Sequence, residues 1–320
     1  MRSLFYDVTR TVRVTVERSN FSVHRTLSIL GISKSWYYDQ MYFTPILDGR
    51  FNPYAINNED ERLIIGYRLS HPRMNFRELS YAMIDDDYAY LSSSSVYRIL
   101  KKHDLITGWK RMPWTPSKPI RATLPDERWQ TDIMYVKVKE RFFYLVIFID
   151  EYSRYIVHHA LLTSMDSNSV SLEAQRAIES LRRDSLATPV IQSDNGSAFI
   201  SMEFRIVLKE NSLTHKKIHP HTPEQNGIVE RANKTVRESI SDKIITDFGD
   251  AEVEIAKVIH WYNYERRHSS LQYLTPMQYY RGNPVELLNI RESKIERARI
   301  MRKEKNMRER KGGEVAGTVS

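Results

Sequence analysis

The hydrophobic pattern of the chain changes period near Trp129: upstream, apolar residues recur at helical spacing, and downstream they alternate or run together as strands do. Upstream, helices are expected over 59–70, 75–86 and 92–103, after a loop over 44–57 that contains Pro45, Gly49 and Pro53. The third sets Val96, Ile99 and Leu100 on one face and Arg98, Lys101 and Lys102 elsewhere, and Ser92 to Ser95 offer caps and phosphate-contacting hydroxyls. Nearer the N-terminus, 22–30 reads as a helix, Gly31-Ile32-Ser33 breaks it, and a second helix starts at Lys34 with Ser33 as its N-cap. That is the outline of a helix-turn-helix, with a plain helical hairpin as the alternative.

Downstream, 132–139 alternates, 142–149 is eight apolar residues in a row, and 155–162 is again strand-like. Three sequential strands with turn-like breaks predict an antiparallel meander with a buried centre. A helix over 166–183, a short strand over 189–193 ending at Asp194, a helix near 199–211 and a strand near 213–216 complete a mixed α/β sheet. After His219-Pro220-His221-Thr222-Pro223, a long amphipathic helix is expected from about Glu224, with Pro223 suited to its first turn. Its apolar stripe is Val229, Ala232, Val236, Ile240 and Ile244, and Glu230 lies off that stripe beside Asn233, Lys234 and Arg237.

At 320 residues with 41% hydrophobic content the chain has room for roughly two domains with real cores. A net charge of +8 and an isoelectric point near 9.4 point to a polyanionic partner. Much of the excess is local: 291–320 holds ten Lys/Arg against five Glu, compatible with a solvated helix, a disordered arm or a DNA contact. From 101 to 121 six basic residues, including Lys101, Lys102, Lys110 and Arg111, are interleaved with Trp109, Trp114, Pro113, Pro116 and Pro119. Proline disfavours helix before it, so an extended linker able to track a phosphate backbone is expected there. The absence of cysteine excludes disulfides, thiol catalysis and Cys-ligated zinc, and fits a reducing compartment. No apolar run suits a signal peptide or a membrane span, so a cytoplasmic, nucleoid-associated protein is expected.

Three carboxylates carry the candidate chemistry: Asp132 in Trp129-Gln130-Thr131-Asp132, Asp194 opening Asp194-Asn195-Gly196, and Glu230 in Gln225-Asn226-Gly227-Ile228-Val229-Glu230-Arg231. Thirty-five residues separate the second from the third. Cleavage or transfer at a phosphodiester needs an activated attacking oxygen and a stabilised leaving oxygen, which two divalent cations supply together. Hard cations select carboxylate oxygens, so three acids from distant parts of the chain suit two ions. Asp150, at the end of a buried strand beside Ser153 and Arg154, reads as a turn cap instead. His219 and His221, flanked by prolines and lacking a third ligand, read as parts of a structured loop. His158 and His159 are expected as one buried and one exposed ring, and His268 as either a DNA contact or a brace for the last helix.

With these motifs the chain resembles the integrase-core DDE transposases of bacterial insertion sequences, in particular the downstream-frame OrfB-type group, whose ribonuclease H-like catalytic domain is related to retroviral integrases. The resemblance rests also on Tyr144-Leu145, Asp150 with Ser153-Arg154, Phe199, His221-Thr222-Pro223, Tyr262-Asn263, Arg267, His268, Leu271, Thr275, Pro276 and Tyr280. It implies a ribonuclease H-like mixed sheet with flanking helices, preceded by an all-α helix-turn-helix-type region. The expected divisions are an N-terminal helical unit over 1–43, a second helical DNA-binding unit over 58–105, a basic linker over 106–127, a catalytic core over 128–285 and a charged tail over 286–320. It also implies that Asp132, Asp194 and Glu230 are catalytic and hold two Mg²⁺, with Mn²⁺ able to substitute. Arg231, Lys234 and Arg237 would hold DNA beside them. The implied partners are duplex DNA, as transposon terminal repeats and target, further copies of the chain in a synaptic complex, and an upstream-frame helix-turn-helix segment. Where family members carry a Tyr-Gly-Tyr-Arg-like stretch, this chain has Arg73-Met74-Asn75-Phe76-Arg77. A catalytically silent or truncated product that occupies transposon ends is the competing reading, and a purely hydrolytic nuclease the third.

Overall fold

The computed structural model describes residues 11–12, 14–19, 21–34, 37–38, 51–106, 122–181, 188–218 and 226–316. Contacts divide the chain into two compact units, Met1–Ala55 with Ile300–Ser320, and Ile56–Arg299.

In the first unit, helix α1 (Val23–Ile29) starts where Ser22 accepts a hydrogen bond from the Arg25 amide. It stops at Gly31, whose φ of +65° suits glycine, while the Ile32 amide returns to the Leu27 carbonyl at 2.9 Å. The Tyr37 amide bonds to the Ser33 carbonyl at 3.0 Å, a helical turn, and Val12, Leu27 and Tyr37 form a small core.

The second unit opens with α2 (Asn58–Ser70), α3 (Phe76–Asp85) and α4 (Ser93–Lys102), each begun by a side chain outside it: Asn57, Asn75 and Ser92. All three accept from amides of the first turn, which meets the orphan donors there. Ile64, Leu79, Met83, Val96 and Leu100 share one core, with the face of α4 buried as its spacing predicts.

The sheet follows. Strands β1 (Arg128–Val138), β2 (Arg141–Asp150) and β3 (Ile156–Leu162) form the antiparallel meander; β4 (Val190–Ser193) lies parallel to β1 and β5 (His215–Lys217) parallel to β4, in the order β3-β2-β1-β4-β5. This is the expected mixed sheet with flanking helices. One face packs Met134, Val136, Leu145 and Ile147 against α8 (Gly227–Ile240) and α9 (Phe248–Tyr264). The other packs Trp129, Val146 and Phe148 against α5 (Ser167–Glu179) and α7 (Met202–Glu210). The short α6 (Ser197–Ile200) precedes α7, and α10 (Pro276–Tyr280) and α11 (Pro284–Ala316) follow α9.

The differences from the sequence reading have local causes. The helix near 199–211 is broken because Ser201 is extended and caps α7 with its hydroxyl. The long helix begins at Gly227 and ends at Ile240; Pro223 and Glu224, with His219 and His221, lie outside the described residues. Ile244, past that end, is 90% exposed and drops out of the apolar stripe. His158 and His159 are both half-buried, because His158 bonds to the buried Glu173 at 2.8 Å.

Residues 58–105 and 128–285 fall in the same compact unit. Arg291 is buried: its Nε and Nη2 each reach Asp85 at 2.7 Å, and Nη1 and Nη2 donate to the carbonyls of Gln272 and Tyr273 at 2.8 and 3.0 Å. It also lies 4.9 Å over the Tyr81 ring.

Candidate active site

Strand register brings the first two acids together. Thr131 pairs with Ser193 in the parallel β1–β4 ladder, so Asp132 and Asp194 are the next residues on adjacent strands. Adjacent strands lie roughly 4.8 Å apart. An Asx turn holds Asp194: its Oδ1 accepts the Gly196 amide at 2.9 Å, while Asn195 donates to the Ile218 carbonyl at 3.2 Å.

The third acid arrives on α8, and three buried amide side chains fasten that helix to β1. Gln130 Oε1 accepts the Ile228 and Val229 amides at 3.2 and 3.3 Å, meeting orphan donors at the helix start. Asn226 donates to the Thr131 carbonyl at 3.3 Å, and Asn233 Nδ2 donates to Asp132 Oδ2 at 2.8 Å. Glu230 lies exposed between the two asparagines on the same helix. The roles of Gln130, Asn226 and Asn233 are not singled out by the sequence reading; the available signal is polar residues at inward positions of a strand and a helix start.

Burial pushes the Asp132 carboxyl up to about 6, and the charges of Asp194 and Glu230 add to the rise against the lowering by the Ile133 amide and Asn233. Burial also raises Glu230. Among the described residues no group of three or more His, Cys, Asp or Glu side chains is arranged to hold one metal ion. The donor set nevertheless suits divalent cations: the carboxylates repel one another, and Thr131 Oγ1, Asn226 Oδ1 and Asn233 Oδ1 are buried acceptors without hydrogen-bond partners. A cation held by these carboxylates would offset the cost of burying the Asp132 charge.

The remaining candidates separate. Arg231, Lys234 and Arg237 are exposed on α8, and Lys234 faces Glu238 at 3.8 Å rather than Glu230. Lys101 is exposed, whereas Lys102 is engaged by Glu61 at 2.8 Å, so that lysine already has an internal counter-ion. Lys110 and Arg111, with Trp109 and Trp114, lie outside the described residues. Asp150 is the turn cap expected of it: fully buried, it accepts from the Ser153 amide and hydroxyl at 2.7 and 2.5 Å and from the Asp126 amide at 2.9 Å. His268 braces the fold, its ring edge-on to Tyr262 at 4.8 Å and in contact with Arg266.

The integrase core domain family matches residues 122–223 and, in a second segment, 211–276. Over these residues the chain is similar to the integrase core domain, and its relatives include transposases of bacterial insertion sequences. It is 29% identical over 166 residues to the transposase of insertion sequence element IS904 from Lactococcus lactis, covering 51% of this chain and 64% of that protein. It is 24% identical over 163 residues to the putative transposase InsK of element IS150 from Escherichia coli, covering 51% and 57%. The 31.7 kDa protein of insertion element IS407 from Burkholderia multivorans is 24% identical over 272 residues, covering 82% of this chain and 92% of that one. The chain thus spans under two thirds of the length of the IS904 and IS150 relatives. Among solved structures, it is similar to a simian T-cell lymphotropic virus intasome in complex with the PP2A regulatory subunit B56 gamma (19% identity, TM-score 0.46, 69% of this chain and 75% of that chain). It is also similar to the HTLV-2 integrase catalytic core domain in complex with magnesium (23% identity, TM-score 0.40, 50% and 99%). Among the described residues no helix is long and apolar enough to cross a membrane.

Proposed function

We propose that this chain is a DNA transposase that cleaves the ends of a mobile segment and transfers the resulting 3′-hydroxyl to another phosphodiester, with Asp132, Asp194 and Glu230 as its catalytic acids. The observation that carries the reading is their convergence: one aspartate within β1, one directly after the neighbouring β4, and a glutamate on a helix tied to β1 through Gln130, Asn226 and Asn233. The three acids would hold two Mg²⁺, which supply activation of the attacking oxygen and stabilisation of the leaving one when bound. Asn233 orients Asp132, and the Gly196 amide orients Asp194. Arg231, Lys234 and Arg237 offer positive charge along the same helix for DNA phosphates. Lys101 and the linker cations Lys110 and Arg111 extend the proposed DNA path. Transposon ends, target DNA and a second copy of the chain are the partners of this reading, and an upstream-frame segment is a further candidate.

The test is strand transfer from pre-cut duplex ends, taken from DNA flanking the gene, into plasmid. Joined product with wild type and Mg²⁺ or Mn²⁺, absent with Glu230→Gln or with EDTA, is the expected result. Equal binding of the ends by both proteins with no joining by either, even after the upstream segment is added, would support the binding-only reading instead.

A further inference from the structure

Strand register carries one more residue onto the face of the acids. Gln130 pairs with Gln192, and Gln192 with Lys216, so these three form a row across β1, β4 and β5 on one face of the sheet. Asp132 stands two residues further along β1 on that face, because side chains alternate with period two, and Asp194 directly follows the end of β4. The row runs from buried Gln130 and Gln192 to exposed Lys216. One strand spacing and a two-residue step place the Cα atoms of Lys216 and Asp194 roughly 8 Å apart by ideal sheet dimensions. Lys216 makes no side-chain hydrogen bond or ion pair with the described residues, and its four-carbon stem leaves the ammonium free to swing along the sheet end.

We propose that Lys216 binds a DNA strand phosphate next to the one presented to the acids, so that the strand leaves the site across the β5 edge; this rests on the transposase reading above. Lys217 is the internal comparison. It is one residue along the same strand, equally exposed, and on the opposite face, where it and Arg205 both press on His215 beside Phe204. Lysine on an outer strand also serves as a guard against edge pairing, and that role predicts an effect on aggregation without an effect on DNA.

The experiment measures binding of the full chain to a fluorescein-labelled duplex carrying the element's end, by anisotropy over a range of salt. Lys216→Gln is expected to weaken binding about three- to tenfold and to reduce the slope of log K against log salt by about 0.9, the signature of one fewer phosphate neutralised by the protein. Lys216→Arg and Lys217→Gln should match wild type. A neutral methylphosphonate, scanned along the strand beside the cut, should show one position at which its effect and that of Lys216→Gln do not add. Lys216→Gln indistinguishable from wild type, equal losses for the two glutamine variants, or additivity at every position each overturns the proposal while leaving the transposase reading in place. Failure of wild type to bind the duplex at any salt overturns both.

Discussion

Arg291→Ala removes a side chain that joins three separate parts of the second unit: α11, the C-terminal end of α3, and the turn at Gln272–Tyr273, whose residues both have positive φ. The guanidinium uses four of its five N–H groups in the hydrogen bonds described above, two of them in a bidentate fork with Asp85. Removing one member of a buried ion pair costs about 3–5 kcal/mol. Two observations place this case at the lower end: the Asp85 side chain is 22% exposed, and Arg267 remains 3.4 Å from it. The two carbonyls left without their donor add to the loss, at about 1 kcal/mol each where no water replaces it. The expected destabilisation is therefore about 3–5 kcal/mol. Arg291→Lys, which keeps the charge but not the planar fork, should lose about half of that. Urea titration followed by far-ultraviolet circular dichroism measures both, with Asp85→Asn and the double variant closing a thermodynamic cycle. A loss below about 1 kcal/mol for Arg291→Ala, or a coupling to Asp85 near zero, would refute the claim that this clasp holds the helices to the sheet domain.

Three further outcomes follow from the same geometry. Glu230→Gln should lower strand transfer at least 100-fold while changing affinity for duplex ends less than threefold, since it removes one oxygen ligand without changing shape; equal losses in both assays would dismiss the metal-holding role. Asp132 titrates near 6 in the fold against 3.8 outside it, so its contribution to stability is greatest below pH 3.8 and falls as pH rises to about 6. Asp132→Asn should accordingly be more stable than wild type at pH 7.5 without metal, by on the order of 2–3 kcal/mol, with the gap closing below pH 4 and narrowing when Mg²⁺ is added to wild type; a gap that ignores pH would count against the cost of burying the Asp132 charge. A Cβ added at Gly282 would sit 2.3 Å from the Gln278 carbonyl oxygen, so Gly282→Ala should destabilise by about 1–3 kcal/mol through a forced shift after α10, read as a lower melting temperature.

Local chemistry made much of the fold legible. Ser22, Asn75, Ser92 and Asp166 announce helix starts because a short polar side chain can meet first-turn amides, and each does so. The alternating and continuous apolar runs announce the meander, and Asp150 beside Ser153 announces its turn. What escaped depends on neighbours distant in sequence. Arg291 reads as one more cation in a basic run, and nothing nearby says that Asp85 will bury it. Gln130 and Asn233 look like ordinary polar neighbours of an acid until β1 and α8 meet. Ile244 continues a helical stripe on paper, and only the stop after Ile240 removes it. For the candidate site, the three acids could be chosen by spacing and flanking residues, but their support could not.

The stitching of β1 to α8 by Gln130, Asn226 and Asn233 changes what the interval between Asp194 and Glu230 means. Because the helix is fastened directly to the strand that bears Asp132, the chain between the second and third acids does not act as a ruler. Residues 195–217 supply α6, α7 and β5 to the core and the sheet, and the three amides fasten the helix that bears Glu230 to the strand that bears Asp132.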